Sequence, residues 1–270
     1  MKLFQFSTLL MCVMVLTLGV SYLATAQNYT FDSADPLADP PAGDALNRDD
    51  SGETNWITKW LALDGQVTNN GGFAVSGPID WLDEGTSGAV TQESISTVDG
   101  LLAAKDVTLT LPDNGGGLNW GIFDIDPADG NNMSSMYGLA DESNFDTYAI
   151  IVIGSSNNRD AVIAAAHDDF AQIWVNGDKV YNNSVWTGAA QQVNFDIPIS
   201  LNKGANVLLY RCGESGGSDY YNLRFADGGA GLSILPKTDN VDDFWRGVTT
   251  AVEPGGKLPT IWGDIKRQNR

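Results

Sequence analysis

Ala166-His167-Asp168-Asp169-Phe170-Ala171-Gln172-Ile173-Trp174-Val175-Asn176-Gly177-Asp178-Lys179-Val180-Tyr181 carries the strongest fold signal in the chain. In extended backbone Ala171, Ile173 and Val175 point one way, and Gln172, Trp174 and Asn176 the other. Asn176-Gly177 accepts the positive φ of a tight hairpin turn, and Lys179-Val180-Tyr181 returns as a second strand. Asp168 and Asp169 stand where the preceding loop enters the first strand. Their carboxylates have two readings: ligands to a hard cation such as calcium, joined by other loop oxygens, or acceptors for loop amides.

Outward from this hairpin, short strands recur between Gly, Asn, Asp and Pro. They are expected at 56–63, 105–111, 118–123, 148–153, 161–166, 172–176, 192–199, 206–212 and 220–225. Val193, Phe195, Ile197 and Ile199 share one face, with Asn194 and Asp196 on the other. Tyr221, Leu223 and Phe225 oppose Tyr220, Asn222 and Arg224. A period of two buries one face and wets the other, so Tyr220 and Asn222 are expected on a wet face. No long helical periodicity occurs between Asn55 and Asp227. The fold class is all-β: an antiparallel β-sandwich of the jelly-roll, galactose-binding-like kind, with a short C-terminal helical tail.

The ends read differently. Residues 1–26 have the form of a signal peptide: Lys2, an uncharged run from Leu9 to Val20, and a small-x-small site at Ala24-Thr25-Ala26. Cys12 follows the large Met11, which argues against a lipid-modified cysteine. Residues 27–53, rich in Asp, Pro, Ala and Gly, read as a flexible, exposed acidic leader. The sandwich is assigned to 54–230 and a tail with short helices to 231–270. In the tail, Thr238-Asp239-Asn240 caps a helix through Arg246 that Gly247 stops. Ile261 to Arg267 is amphipathic and suits docking on the sandwich or on a protein partner.

Composition narrows function. Asp and Glu number 34 against 15 Lys and Arg, which excludes a nucleic-acid partner. No later run reaches the roughly 18 apolar residues of a spanning helix, so the mature chain has no transmembrane segment. With the signal removed, Cys212 is the one cysteine left, inside a strand-like run, and reads as a small packed side chain. His167 is the one histidine, and no Gly-x-Ser-x-Gly elbow accompanies it, so neither a catalytic triad nor a poly-histidine metal centre is available. Asp124 to Asn132 resembles a calcium loop, but Ser135 stands where an EF-hand needs Glu.

The segment from Asp168 to Gly177 resembles the Asp-Asp-x-x-x-(apolar)-(aromatic)-(apolar)-(Asn/Asp)-Gly run of two related groups. These are the lectin-like domains first named for anthrax protective antigen and the galactose-binding-like sandwiches attached to many glycoside hydrolases. The resemblance continues at Leu201-Asn202-Lys203-Gly204-Ala205-Asn206-Val207 and at Tyr221 to Phe225, and spans about 147–225. It implies a β-sandwich that binds carbohydrate. From the first group it implies calcium held by Asp168 and Asp169, with the metal meeting sugar hydroxyls and a further ligand coming from a later loop. Asp219 and Asn222 are the candidates for that ligand. Of eight tryptophans, Trp186 lies in a polar, glycine-bounded loop suited to an exposed sugar platform, and Tyr220 is a second candidate.

Three functions follow. The first is an exported, non-catalytic, lectin-like carbohydrate-binding module, calcium-assisted, placed outside the cell, on its surface or in the periplasm. The second is a structural or adhesive subunit of an extracellular assembly. The third is a polysaccharide-acting enzyme, for which two carboxylates at a set spacing across a cleft would be needed.

Overall fold

The structure, a computed structural model, describes residues 44–69 and 71–252. The expected signal peptide, most of the expected leader, Pro254-Gly255-Gly256 and the amphipathic 261–267 stretch lie outside the described residues.

In chain order the elements are β1 (Arg48–Asp49), β2 (Lys59–Leu63), β3 (Val67–Thr68), α1 (Phe73–Ser76), α2 (Trp81–Thr86), α3 (Gln92–Ile95), α4 (Val98–Ala103), β4 (Leu109–Thr110), β5 (Gly117–Leu118), β6 (Trp120–Asp124), α5 (Asn132–Ser135), β7 (Phe145–Ser155), β8 (Arg159–Asp168), β9 (Phe170–Val175), β10 (Asp178–Asn183), β11 (Gln192–Val193), β12 (Asp196–Leu201), β13 (Gly204–Glu214), β14 (Tyr220–Asp227), β15 (Ser233–Leu235) and α6 (Val241–Val252). The chain is an antiparallel β-sandwich. Its larger sheet runs β10-β9-β13-β7-β2-β6, with β3 and β15 also pairing with β7. Its smaller sheet runs β12-β8-β14.

Alternation places the core between the sheets. Ala171, Ile173 and Val175 of β9, Leu208, Tyr210 and Cys212 of β13, and Ile163 and Ala165 of β8 meet Trp60 and Tyr221 there. Trp60, Tyr210 and Tyr221 contact one another edge to face, the arrangement ring quadrupoles favour. On β12 strict alternation survives, with Ile197, Ile199 and Leu201 buried and Asp196, Pro198 and Ser200 exposed. The β9–β10 hairpin turns at Asn176 (φ 54°) and Gly177 (φ 93°), as the Asn-Gly pair requires.

The larger sheet is buried on both faces. Its outer face carries Trp174, Val207, Leu209, Tyr148 and Ile150, covered by Leu82, Ile95 and Leu101 of the short helices and by Phe244, Trp245 and Val248 of α6. The sequence shows no long helical periodicity between Asn55 and Asp227, yet short helices cover 73–103. These helices have four to six residues each, too few turns for a periodic pattern. Of them, α2, α3 and α4 are held by local caps instead. Asp80 accepts from the amides of Leu82, Asp83 and Gln92, and Thr91 and Ser94 form a capping box. The strand expected over 105–111 shrinks to Leu109–Thr110 for the same reason: the residues before it leave α4.

A buried ion pair staples this cover to the sheet. Arg211 and Asp146 are both 0% exposed. The Arg211 guanidinium donates to Asp146 (Nε–Oδ2 2.8 Å), to the Ile79 carbonyl (2.8 Å) and to Gln172 Oε1 (3.1 Å). Asp146 Oδ1 accepts from Ser76 Oγ and Asn69 Nδ2, each at 3.0 Å. A buried pair is tolerable only with its remaining hydrogen bonds satisfied, and here they come from the connection and helices that must be held.

Three further expectations are corrected. The leader is not exposed throughout: Arg48 and Asp49 pair with Val193 and Gln192, and Asp50 is buried against Arg48 and Arg224. Charged Asp50 therefore belongs to the domain, not to a solvated arm. The second face of β14 is not wet, because the 187–193 segment and Trp56 cover it; Tyr220, Asn222 and Arg224 are all buried. Gly247 does not stop the tail helix. An added Cβ there would meet Leu235 Cδ1 at 2.8 Å, so this glycine permits close approach while α6 continues to Val252. The buried face of α6 docks on the chain's own sheet, where each large apolar side chain contributes about 1.5–3 kcal/mol; the 261–267 stretch, expected to dock on the sandwich or on a protein partner, lies outside the described residues. No helix among the described residues is long and apolar enough to cross a membrane.

Candidate functional site

Asp168 and Asp169 sit at the corner where the chain crosses from β8 in the small sheet to β9 in the large one, and the peptide bond between them is cis. The neighbouring end of β13 brings a third carboxylate. Glu214 has the same parity as Leu208, Tyr210 and Cys212, so strand alternation aims it between the sheets at their open end. One oxygen from each of Asp168, Asp169 and Glu214 lies within 4.8 Å of the others. Two oxygens on opposite sides of a calcium ion stand about 5 Å apart, so the group has the dimensions of a cation site.

The electrostatics agree. Glu214 is 0% exposed, and among the described residues neither of its carboxylate oxygens has a hydrogen-bond partner of normal geometry. Burial first, then Asp169 and Asp168, push its carboxyl up to about 8, while the Gly216 amide works in the lowering direction. Burial, then Asp169, push Asp168 up to about 8 as well. Two buried acids and the half-buried Asp169 thus lie together with no ion pair to a positive side chain among the described residues, and a divalent cation would relieve that arrangement.

His167 braces the corner. Its Nδ1 donates to the Asp169 carbonyl (3.0 Å), and its Nε2 accepts from Tyr181 Oη (2.9 Å), which accepts in turn from Asn183 Nδ2 (2.9 Å). Burial holds the imidazole neutral, with its pKa lowered to about 4. It is a structural histidine that fixes the backbone carrying the two aspartates.

The remaining candidates divide. Trp186 is 54% exposed, beside the equally open Val185. Its loop is tied to the corner on both flanks: Thr187 exchanges hydrogen bonds with the His167 backbone, and Asn183 Oδ1 accepts from the Val185 amide. Tyr220 is only 2% exposed, its hydroxyl 3.5 Å from Thr187 Oγ1, so it is no platform. Asn222 is spent on the Pro127 and Ala190 carbonyls and on Asn132. Asp219 lies close enough to raise Asp168, but its carboxylate accepts from the Ser134 amide and hydroxyl. Glu214, not Asp219, is the third member of the carboxylate group. In the 124–132 loop the acids are likewise committed: Asp124 pairs with Lys59, Asp126 accepts from the Ala128 amide, and Asp129 accepts from Asn131 and Ser135.

No protein-family model matches the chain, and no curated protein matches it. Among solved structures it is similar to the PA14 domain of MpAFP antifreeze protein, at 13% identity and a TM-score of 0.34, covering 70% of this chain and 92% of that one. It is also similar to a family 35 carbohydrate binding module from Clostridium thermocellum, at 16% identity and a TM-score of 0.23, covering 48% and 86%. A third similarity is to an anti-sigma factor domain-containing protein from Clostridium clariflavum, at 12% identity and a TM-score of 0.31; it covers 44% of this chain and 40% of that one. Likenesses this distant carry no weight, and the β-sandwich assignment rests on the strand pairing described above.

Proposed function

We propose that this chain is an exported, non-catalytic carbohydrate-binding module whose site is built by Asp168, Asp169 and Glu214 around calcium, with Trp186 as the neighbouring sugar platform. The observation that carries the reading is Glu214: a buried carboxylate that, among the described residues, meets no hydrogen-bond donor in good geometry and is aimed at two more carboxylates. Such a group is costly in an empty fold and useful in a cation site. The donor set fits calcium, which takes oxygen ligands of this kind; when bound, it supplies open coordination positions for sugar hydroxyls. The chain's own contribution is orientation. His167 and the β8–β9 corner fix the aspartates, the end of β13 fixes the glutamate, and the Thr187–His167 bonds hold the Trp186 loop beside them.

Isothermal titration of the purified chain with calcium tests the metal, and glycan binding in calcium and in chelator tests the ligand. One calcium per chain, lost in Asp169→Asn, is expected. Failure to bind calcium, with glycan binding indifferent to chelator, would return the aspartate pair to a purely structural role.

A further inference from the structure

Asn69, Gly72 and Phe73, between β3 and the helical cover, touch the chain on both sides of the carboxylate group. Asn69 is fully buried. Its Nδ2 donates to the Glu214 carbonyl (3.0 Å) and to Asp146 Oδ1 (3.0 Å), while its Oδ1 accepts from the Gly72 amide (2.8 Å). The Phe73 amide donates to Ser215 Oγ (3.0 Å), and the Ser215 amide donates to Asp169 Oδ2 (3.1 Å). The Phe73 ring stacks on Phe170, the residue after Asp169, at 6.2 Å and 6°. Gly72 is packed so closely that an added Cβ would meet Ser215 Oγ at 2.4 Å. The same Asp146 that accepts from Asn69 anchors Arg211, which in turn holds the carbonyls of Ser76 and Ile79.

We infer that Asn69 and Ser215 are positioning residues for the cation site, and that cation affinity is coupled to docking of the helical cover α1–α4. The inference rests on the calcium reading above. Glu214 leaves the end of a strand into Ser215-Gly216-Gly217, where both glycines have positive φ (152° and 109°). Glycine backbone restrains its neighbours poorly, so the grip on Glu214 and Ser215 comes from across the chain, through Asn69 and Phe73. A ligand that favours the gripped geometry must, by linkage, favour the docked cover.

The test uses the full chain with Asn69→Ala and, separately, Ser215→Ala, which removes the acceptor for the Phe73 amide and keeps the Ser215 amide on Asp169. Calcium affinity is measured by isothermal titration well below the unfolding temperature. Backbone hydrogen exchange over residues 73–103 is measured with calcium and with chelator. Removal of second-layer partners weakens metal binding about 10–100-fold. That loss is expected for Asn69→Ala, with a smaller loss for Ser215→Ala, and calcium is expected to slow exchange in the wild-type cover. If Asn69→Ala does not fold, Ser215→Ala and the wild-type exchange data decide. Wild-type calcium affinity in the folded variants, or exchange over 73–103 indifferent to calcium, overturns the coupling and leaves the calcium site standing. A wild-type chain that takes no calcium overturns the site itself, and the coupling with it.

Discussion

Replacing Glu214 by Gln separates a cation ligand from a buried structural acid, because the two roles give opposite signs. Three ionised carboxylates whose oxygens lie within 4.8 Å repel by about 3 kcal/mol per pair at an effective dielectric of 20. The native state therefore keeps protons there that the unfolded chain releases. Asp168 and Glu214 are both raised to about 8, above their unfolded values near 4. Their contribution is full below about pH 4 and is lost as pH rises through about 8. At pH 9 in chelator, Glu214→Gln relieves two of the three repulsions and the burial of one charge. Allowing for solvent screening, a gain of about 2 kcal/mol is expected, or about 4–8 °C in Tm for a domain of this size. Calcium at about 100 times its Kd should add about 2.7 kcal/mol to the wild type and little to the variant. The assay is thermal unfolding by circular dichroism at pH 9, each protein in chelator and in calcium. A variant that is less stable in chelator, yet keeps the full calcium shift, would refute the reasoning.

Other outcomes follow from the same structure. Arg211→Met should cost about 3–5 kcal/mol in urea unfolding, since it leaves Asp146 buried and unpaired; a loss under 1 kcal/mol would mean the staple is dispensable. Trp186→Ala should leave stability within about 0.5 kcal/mol, because the ring is exposed, while glycan affinity falls; unchanged affinity would remove Trp186 from the site. The His167 imidazole, held neutral with a pKa of about 4, should show no NMR titration between pH 8 and pH 5.5. A midpoint near 6.5 would contradict the buried Tyr181–His167–Asp169 arrangement. Between pH 6.5 and pH 4 this histidine destabilises the fold as pH falls, opposing the carboxylate group.

The sandwich was legible wherever burial is one-sided or the turn chemistry is local. Ile197, Ile199 and Leu201 alternate with exposed neighbours, and Asn176-Gly177 marks its own hairpin. Where a second layer covers a strand, polarity stops reporting exposure. Tyr220, Asn222 and Arg224 look like a wet face but lie under the 187–193 segment and Trp56, their polar groups satisfied by loop backbone and Asp50. The helical cover left little trace because its helices are only four to six residues long, and α2, α3 and α4 start at Asp80, Thr91 and Thr97, residues equally at home in loops. Of the candidate site, the sequence singles out the aspartate pair and Trp186 and points to Asp219 where the structure brings Glu214. A signal was present. Glu214 continues the inward parity of Leu208, Tyr210 and Cys212, and an acid on the apolar face of a strand needs a partner. Asp219 sat at an equally suggestive loop position, and only the structure shows its oxygens engaged by Ser134.

The role proposed for the carboxylate corner is to present sugar through calcium. The most direct measurement is glycan-array binding of the wild-type chain in calcium, repeated in chelator and with Asp168→Asn. Binding to a defined set of glycans in calcium, lost in chelator and in the variant, is the expected result. No glycan bound in calcium, or binding that survives both chelator and Asp168→Asn, would contradict it.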